Sequence, residues 1–163
     1  VTGGFSFDPE TGATNPPLHL SNAYQFKSAA YAANLFNLTE ARHIYTRLHN
    51  PTTDILAARL AMLEGGTAAV ATASGHFAEI ALFIDLCKAG DEIIASNRLY
   101  GGTMNMLAAT LPKYGITTRF ADQNDPAAWA AQINDKTKAF YLECLANPDS
   151  SIPDFDGIVS LAM

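Results

Sequence analysis

From Ala68 to Met163 short apolar runs alternate with alanine-rich, helix-like stretches, and turn residues mark the changes. The pattern predicts a strand, turn and helix from Ala68 to about Lys88, with Ala73-Ser74-Gly75 as the turn. Ala89-Gly90-Asp91 stops that helix, and Glu92-Ile93-Ile94-Ala95 forms the next strand. A loop from Ser96 to Thr103 follows, holding Tyr100 between Leu99 and Gly101-Gly102. A helix then runs from Thr103 to about Tyr114, closed by Gly115. Ile116 to Ala121 is a strand, Asp125-Pro126 starts a helix over Ala127 to Ile133, and Thr137 to Leu142 is another strand. Asn147-Pro148 makes a turn, and Phe155 to Met163 begins a further helix. Such β-α alternation leads to a mostly parallel, doubly wound sheet, because right-handed crossovers put helices on both faces. Ligands in such folds sit beyond the carboxyl ends of the strands. The Ser74-Gly75 turn, the Tyr100 loop and Glu143 to Asn147 all follow strands, so they are predicted to share one edge.

The first third reads differently. Val1 to Asn22 carries Gly3-Gly4, Pro9, Gly12 and Asn15-Pro16-Pro17 with no period, which is loop chemistry. Phe5, Phe7, Leu18 and Leu20 make it an extended arm that lies on something. Phe26 to Phe36 forms a short helix. Pro51 disfavours helix at Asn50, and Thr52 or Thr53 is placed to cap a helix from Asp54 to Glu64 that Gly65-Gly66 ends. No internal repeat or low-complexity segment is present.

Composition narrows the function classes. With 48% apolar and 16% charged residues the chain is globular, and 163 residues suffice for one core. A net charge of -6 argues against a nucleic-acid face. No apolar stretch is long enough for a bilayer and no secretion signal opens the chain, so neither membrane nor export is expected. Cys87 and Cys144 stand alone, which suits reduced thiols in a cytoplasmic protein and makes a zinc site improbable. The start at Val1 and the stop at Met163 in mid-pattern suggest a processed or truncated piece.

The residues by themselves leave the chemistry open. Ser74-Gly75 is either a helix cap or an anion site, since the first amides of a helix lack partners within it. Arg47 reads as a surface cation, Tyr45 as an arm residue packed on its own domain, Tyr100 as a tyrosine packing a turn. His76 reads as a helix-start residue facing solvent, and His19, His43 and His49 as structural or surface groups. No Gly-x-Gly-x-x-Gly follows a strand, and Ala71-Thr72-Ala73-Ser74-Gly75 does not match a hydrolase elbow.

Taken together, however, Ala32-Ala33-Asn34-Leu35-Phe36, Ile44-Tyr45-Thr46-Arg47, Asn50-Pro51-Thr52-Thr53, Leu63-Glu64-Gly65-Gly66, Ala73-Ser74-Gly75, Gly90-Asp91-Glu92-Ile93, Leu99-Tyr100-Gly101-Gly102-Thr103 and Asn147-Pro148 resemble the pyridoxal-phosphate enzymes of cysteine and methionine metabolism. Within that group the match is nearest to the O-acetylhomoserine sulfhydrylases, and it covers nearly the whole chain in order. The resemblance implies fold type I and an active site shared between two subunits of a homodimer or homotetramer. It implies that residues 1–53 form an arm contributing in trans and residues 54–163 the first part of the cofactor domain. The amides of Gly75 and His76 would hold the phosphate of pyridoxal 5'-phosphate, helped by Tyr45 and Arg47 of the neighbouring subunit. Tyr100 would stack on the pyridine ring as the catalytic-site aromatic, and Asn147 would lie near its phenolic oxygen. At position 76 the family usually carries Gln or Met.

The implied reaction replaces the acetoxy group of O-acetylhomoserine by sulfide, giving homocysteine and acetate; cystathionine gamma-synthase and methionine gamma-lyase share most of these motifs. Two residues that the family needs are not found here. One is an aspartate that pairs with the ring nitrogen; the other is a Schiff-base lysine in a Ser-x-Thr-Lys run. Lys27, Lys88, Lys113, Lys136 and Lys138 are the lysines, and none stands in such a run. The expectation is therefore a chain inactive by itself. A catalytically dead stand-alone phosphate-binding or interaction module is the alternative.

Overall fold

The computed structural model describes residues 3–162, and the chain divides into two compact units that meet between Thr72 and Ala73. Met163, the end of the last helix expected from sequence, lies outside the described residues, as do Val1 and Thr2 of the arm.

In the first unit, residues 3–28 contain turns and a single antiparallel bridge, Ala23 to Tyr45, with no helix. Helix α1 spans Ala29–Phe36, and the Ser28 hydroxyl accepts the Tyr31 N–H at its start. Helix α2 spans Pro51–Leu63. Its cap is Asn50, not Thr52 or Thr53. Proline at the first helical position lacks an N–H that would need satisfying, so the cap falls on the residue before it. Asn50 is buried: its Oδ1 accepts the Thr52 N–H at 2.9 Å, and its amide donates to the His19 carbonyl (2.9 Å), the Tyr24 hydroxyl (3.1 Å) and Thr46 Oγ1 (3.1 Å). One side chain thus ties three earlier segments of the first unit to the helix start. Gly65, at φ +67°, ends the helix in the left-handed conformation.

The strand expected from Ala68 is absent. Residues 68–72 pair with no strand among the described residues, and Val70 is 89% exposed. An apolar run becomes a strand only when a neighbour supplies a ladder, a requirement that periodicity does not reveal.

The second unit begins with helix α3, Gly75–Leu86, and continues through strand β1 (Glu92–Ser96), helix α4 (Gly101–Asn105), strand β2 (Thr117–Ala121), helix α5 (Pro126–Ala130), strand β3 (Thr137–Tyr141) and helix α6 (Phe155–Val159). The three strands are parallel in the order β2-β1-β3. Every residue of β1 is buried, as the centre of a covered parallel sheet requires. Its side chains alternate. Ile93 and Ala95 join Phe83, Cys87, Met106, Leu107 and Leu111 on one face, and Ile94 joins Ala121, Trp129 and Ile158 on the other. The chain crosses from β1 to β2 over the first face and from β2 past β1 to β3 over the second, so the two crossovers share one hand.

Beyond α4 the coil changes its winding, to a π turn over Met106–Thr110 and a 3-10 turn over Leu111–Tyr114. Pro112 removes an N–H from the ladder there, which breaks the regular helix expected over this stretch. At the amino end of β1, Glu92 accepts from Arg119 Nε (2.5 Å) and Asn134 Nδ2 (2.9 Å). The Arg119 bond, with the Asn134 bond and their charges, pulls the Glu92 carboxyl down to about 2.

Candidate functional site

Adjacent strands β1 and β3 send the chain to opposite faces: α4 and its continuation pack in the first cluster, α6 in the second. A crevice therefore opens at the carboxyl ends of these two strands, where doubly wound sheets take their ligands. Helix α3 packs on the first face through Phe83 and Cys87.

At the start of α3 the Ser74 hydroxyl accepts the Phe77 N–H at 3.1 Å, and the Ser74 carbonyl accepts the Ala78 N–H at 3.1 Å. That leaves the N–H groups of Gly75 and His76 with no hydrogen-bond partner among the described residues. A Cβ at Gly75 would meet nothing within 4 Å, so the backbone there is unhindered on its side-chain side. Two free amides at the positive end of a 12-residue helix suit an anion.

Tyr100, 50% exposed, precedes α4, and its ring lies 5.8 Å from the His76 imidazole, centroid to centroid, tilted by 60°. Gly102 makes this arrangement possible: a Cβ there would overlap both the His76 and Tyr100 rings. Between α3 and α4 runs an open groove of about 470 Å³, lined by His76, Phe77, Ile80, Gly102, Asn105 and Met106 among others. Its size is that of a small-ligand site. Free amides, an exposed aromatic face and an open groove together fit a phosphate carried on a flat ring.

Two carboxylates not singled out from sequence support this region. Glu79 takes the Tyr141 hydroxyl at 2.7 Å and the Thr103 hydroxyl at 3.0 Å, and its Oε2 lies 4.0 Å from His76 Nε2. It thereby joins α3, α4 and β3. Burial, with the Glu79 carboxylate beside it, pushes the Tyr141 phenol well above its usual range. Glu143 takes the Tyr100 N–H at 2.8 Å and the Asn147 N–H at 3.2 Å. Further out, Arg98 pairs with Asp149, and buried Gln123 bonds both Ser96 and Ser151. The available signal was a single acidic residue interrupting an otherwise apolar run, at Glu79 in α3 and at Glu143 just past β3.

Of the residues expected to bind cofactor, Gly75, His76, Tyr100 and Asn147 all lie in the second unit. His76 and Tyr100 are in ring contact, and Asn147 is joined to Tyr100 through Glu143. Tyr45 and Arg47 belong to the first unit. Both are exposed there, with the Arg47 guanidinium 5.6 Å from the Tyr45 ring centroid.

A parallel α/β layer with an open helix start and an exposed aromatic beside its switch crevice places the second unit in the doubly wound α/β class. The family model for Cys/Met metabolism PLP-dependent enzymes matches residues 1–163, and the chain belongs to that family. An O-acetyl-L-homoserine sulfhydrylase of Leptospira meyeri is 49% identical over 160 residues, and the sulfhydrylase FUB7 of Fusarium oxysporum 46% over 159; each match covers 98% of this chain. The chain spans 36% and 37% of the length of those two relatives. Among solved structures, a putative O-acetylhomoserine (thiol)-lyase of Campylobacter jejuni superposes with a TM-score of 0.91 at 38% identity, over 98% of this chain and 39% of its own. That structure holds N'-pyridoxyl-lysine-5'-monophosphate. A cystathionine gamma-lyase of Lactobacillus plantarum, complexed with L-serine, superposes at 0.85 with the same identity and coverage. The fold is thus that of the fold type I pyridoxal-phosphate enzymes, present in part. No described helix is long and apolar enough to cross a membrane.

Proposed function

We propose that the protein to which these residues belong replaces the acetoxy group of O-acetylhomoserine with sulfide, releasing acetate and homocysteine. The observation that carries this reading is the match to an O-acetyl-L-homoserine sulfhydrylase at 49% identity across 98% of the chain, and the geometry of the crevice supports it. In this reading the Gly75 and His76 amides bind the cofactor phosphate, the Tyr100 ring stacks on the pyridine, and the Asn147 side chain faces the phenolic oxygen. Residues 1–53 are the arm that carries Tyr45 and Arg47 to the phosphate bound by a second copy of the chain; a planar guanidinium is suited to bidentate phosphate binding. Bound pyridoxal phosphate supplies the electron sink for loss of the leaving group. The role assigned to these 163 residues is holding and orienting that cofactor, not turnover by themselves.

The test is sulfide-dependent acetate release from O-acetylhomoserine by the cofactor-loaded protein, followed by homocysteine detection. Exchange without detectable 2-oxo acid supports the reading. The cystathionine gamma-lyase structure, as identical to this chain at 38% as the thiol-lyase structure, favours a second reading, elimination from a sulfur amino acid. Ammonia and a 2-oxo acid formed without sulfide would establish that one and refute the first.

A further inference from the structure

We infer that Glu143 is a positioning residue that sets the separation of Tyr100 and Asn147 across the crevice between β1 and β3. The inference rests on the site reading given under Proposed function. Each oxygen of this carboxylate serves a different loop. Oε1 accepts the Tyr100 N–H (2.8 Å) in the segment leaving β1, and Oε2 accepts the Asn147 N–H (3.2 Å) in the segment leaving β3. A carboxylate only accepts, and its bonds to N–H groups are charge-assisted, so one side chain can hold two backbones at a fixed span.

The two positions have need of such a strap. Tyr100 opens α4 with no side-chain cap and a half-exposed ring, and Asn147 is exposed. Neither side chain is packed firmly enough to fix its own backbone. The Arg98–Asp149 pair also bridges the two loops, but at positions two residues removed from Tyr100 and from Asn147. Glu143 itself stands two residues past the end of β3, anchored by the sheet. A ring that stacks on the face of a flat ligand and an amide that meets its edge must keep a constant separation, and Glu143 bonds both backbones that set it.

The geometry discriminates among substitutions. Glu143→Gln keeps one accepting oxygen and turns donors toward the other N–H. Glu143→Asp is one methylene shorter and cannot span both. Glu143→Ala removes both bonds. The experiment uses the protein carrying these residues, in apo form and reconstituted with pyridoxal phosphate. In the apo form, amide exchange is expected to quicken about tenfold or more at both Tyr100 and Asn147 in E143A, and at one of the two in E143Q. On reconstitution, the induced circular dichroism of the cofactor band is expected to fall at least twofold in E143Q, with the apo thermal midpoint little changed. Should E143A not fold, the near-isosteric E143Q decides the question. Unchanged exchange at both amides overturns the inference. So does quickened exchange with an unaltered cofactor band, which would make Glu143 a structural strap only. No cofactor signal from the unsubstituted protein overturns the site reading and this inference with it, whereas a normal signal that no substitution alters overturns this inference alone.

Discussion

Gly102→Ala separates the stability of the fold from the geometry of the site. The added Cβ would stand 2.5 Å from Tyr100 Cε1 and closer still to His76 Cε1, where ordinary contact begins near 3.4 Å. Each ring must therefore retreat by about 1 Å. Both are free to do so: Tyr100 is 50% exposed and the His76 side chain 46%. The overpacking cost should then sit at the low end of the usual ~1–3 kcal/mol. Alanine for glycine inside α4 returns up to about 1 kcal/mol of helix propensity. The two nearly cancel, so the thermal midpoint should move by no more than about 4 °C, the shift that ~1 kcal/mol gives a chain of this size. The site has no such compensation, because a displacement of about 1 Å in a positioning group can cost up to ~100-fold. Pyridoxal phosphate titrated into apo protein, followed by its absorbance and by quenching of Trp129, should show binding weakened at least tenfold, or about 1.4 kcal/mol. Binding within twofold of the unsubstituted protein, with the fold intact, would refute the placement of the cofactor beside these rings. Loss of the fold would refute the claim that the two rings are free to move.

Other expectations follow from the same structure. Trp129 is fully buried, stacks edge-on with Phe140 at 5.4 Å and donates to the Asp122 carbonyl, so Trp129→Ala should cost about 3–5 kcal/mol, read as a fall in the urea midpoint by circular dichroism. The Glu92 carboxyl is held near 2 in the folded protein against an ordinary 4.5, so its contribution is complete above that ordinary value and disappears as pH falls through about 2. The stability gap between the unsubstituted protein and Glu92→Gln should therefore be widest near neutrality and close by about pH 2 in acid titrations. Arg47 is exposed, and Arg47→Ala should leave stability within about 0.5 kcal/mol while weakening cofactor binding at least tenfold; an unchanged cofactor titration would remove Arg47 from the site.

Elements whose signal is local were legible in the sequence. The run Glu92 to Ala95 is apolar from its second residue and bounded by Gly90-Asp91, and it is the central strand. Asp125-Pro126 opens a helix because cap and first-position chemistry sit side by side. Features that depend on a distant partner were not legible. Ala69 to Thr72 is as apolar as a strand needs, yet it joins no strand ladder among the described residues. Asn50 outcompetes Thr52 and Thr53 as a cap partly because His19, Tyr24 and Thr46 bury its amide, and none of these is near it in a helical pattern. The helix start at Gly75 and His76 was readable from a turn followed by a helix. The acceptors that organise the crevice, Glu79 and Glu143, bond across 62 and 43 residues of sequence, a span no short motif encodes.

Strand β1 is one residue layer thick, and its neighbours in sequence look into different interiors: Ile93 and Ala95 one way, Ile94 the other. It acts as a partition. Substitutions on the two sides of such a wall share no packing neighbours, so their costs should sum, and either chamber can be refilled without consulting the other. Drift in the chamber beneath α5 and α6 can therefore proceed while the chamber that seats α3, and with it the helix start at Gly75 and His76, keeps its shape.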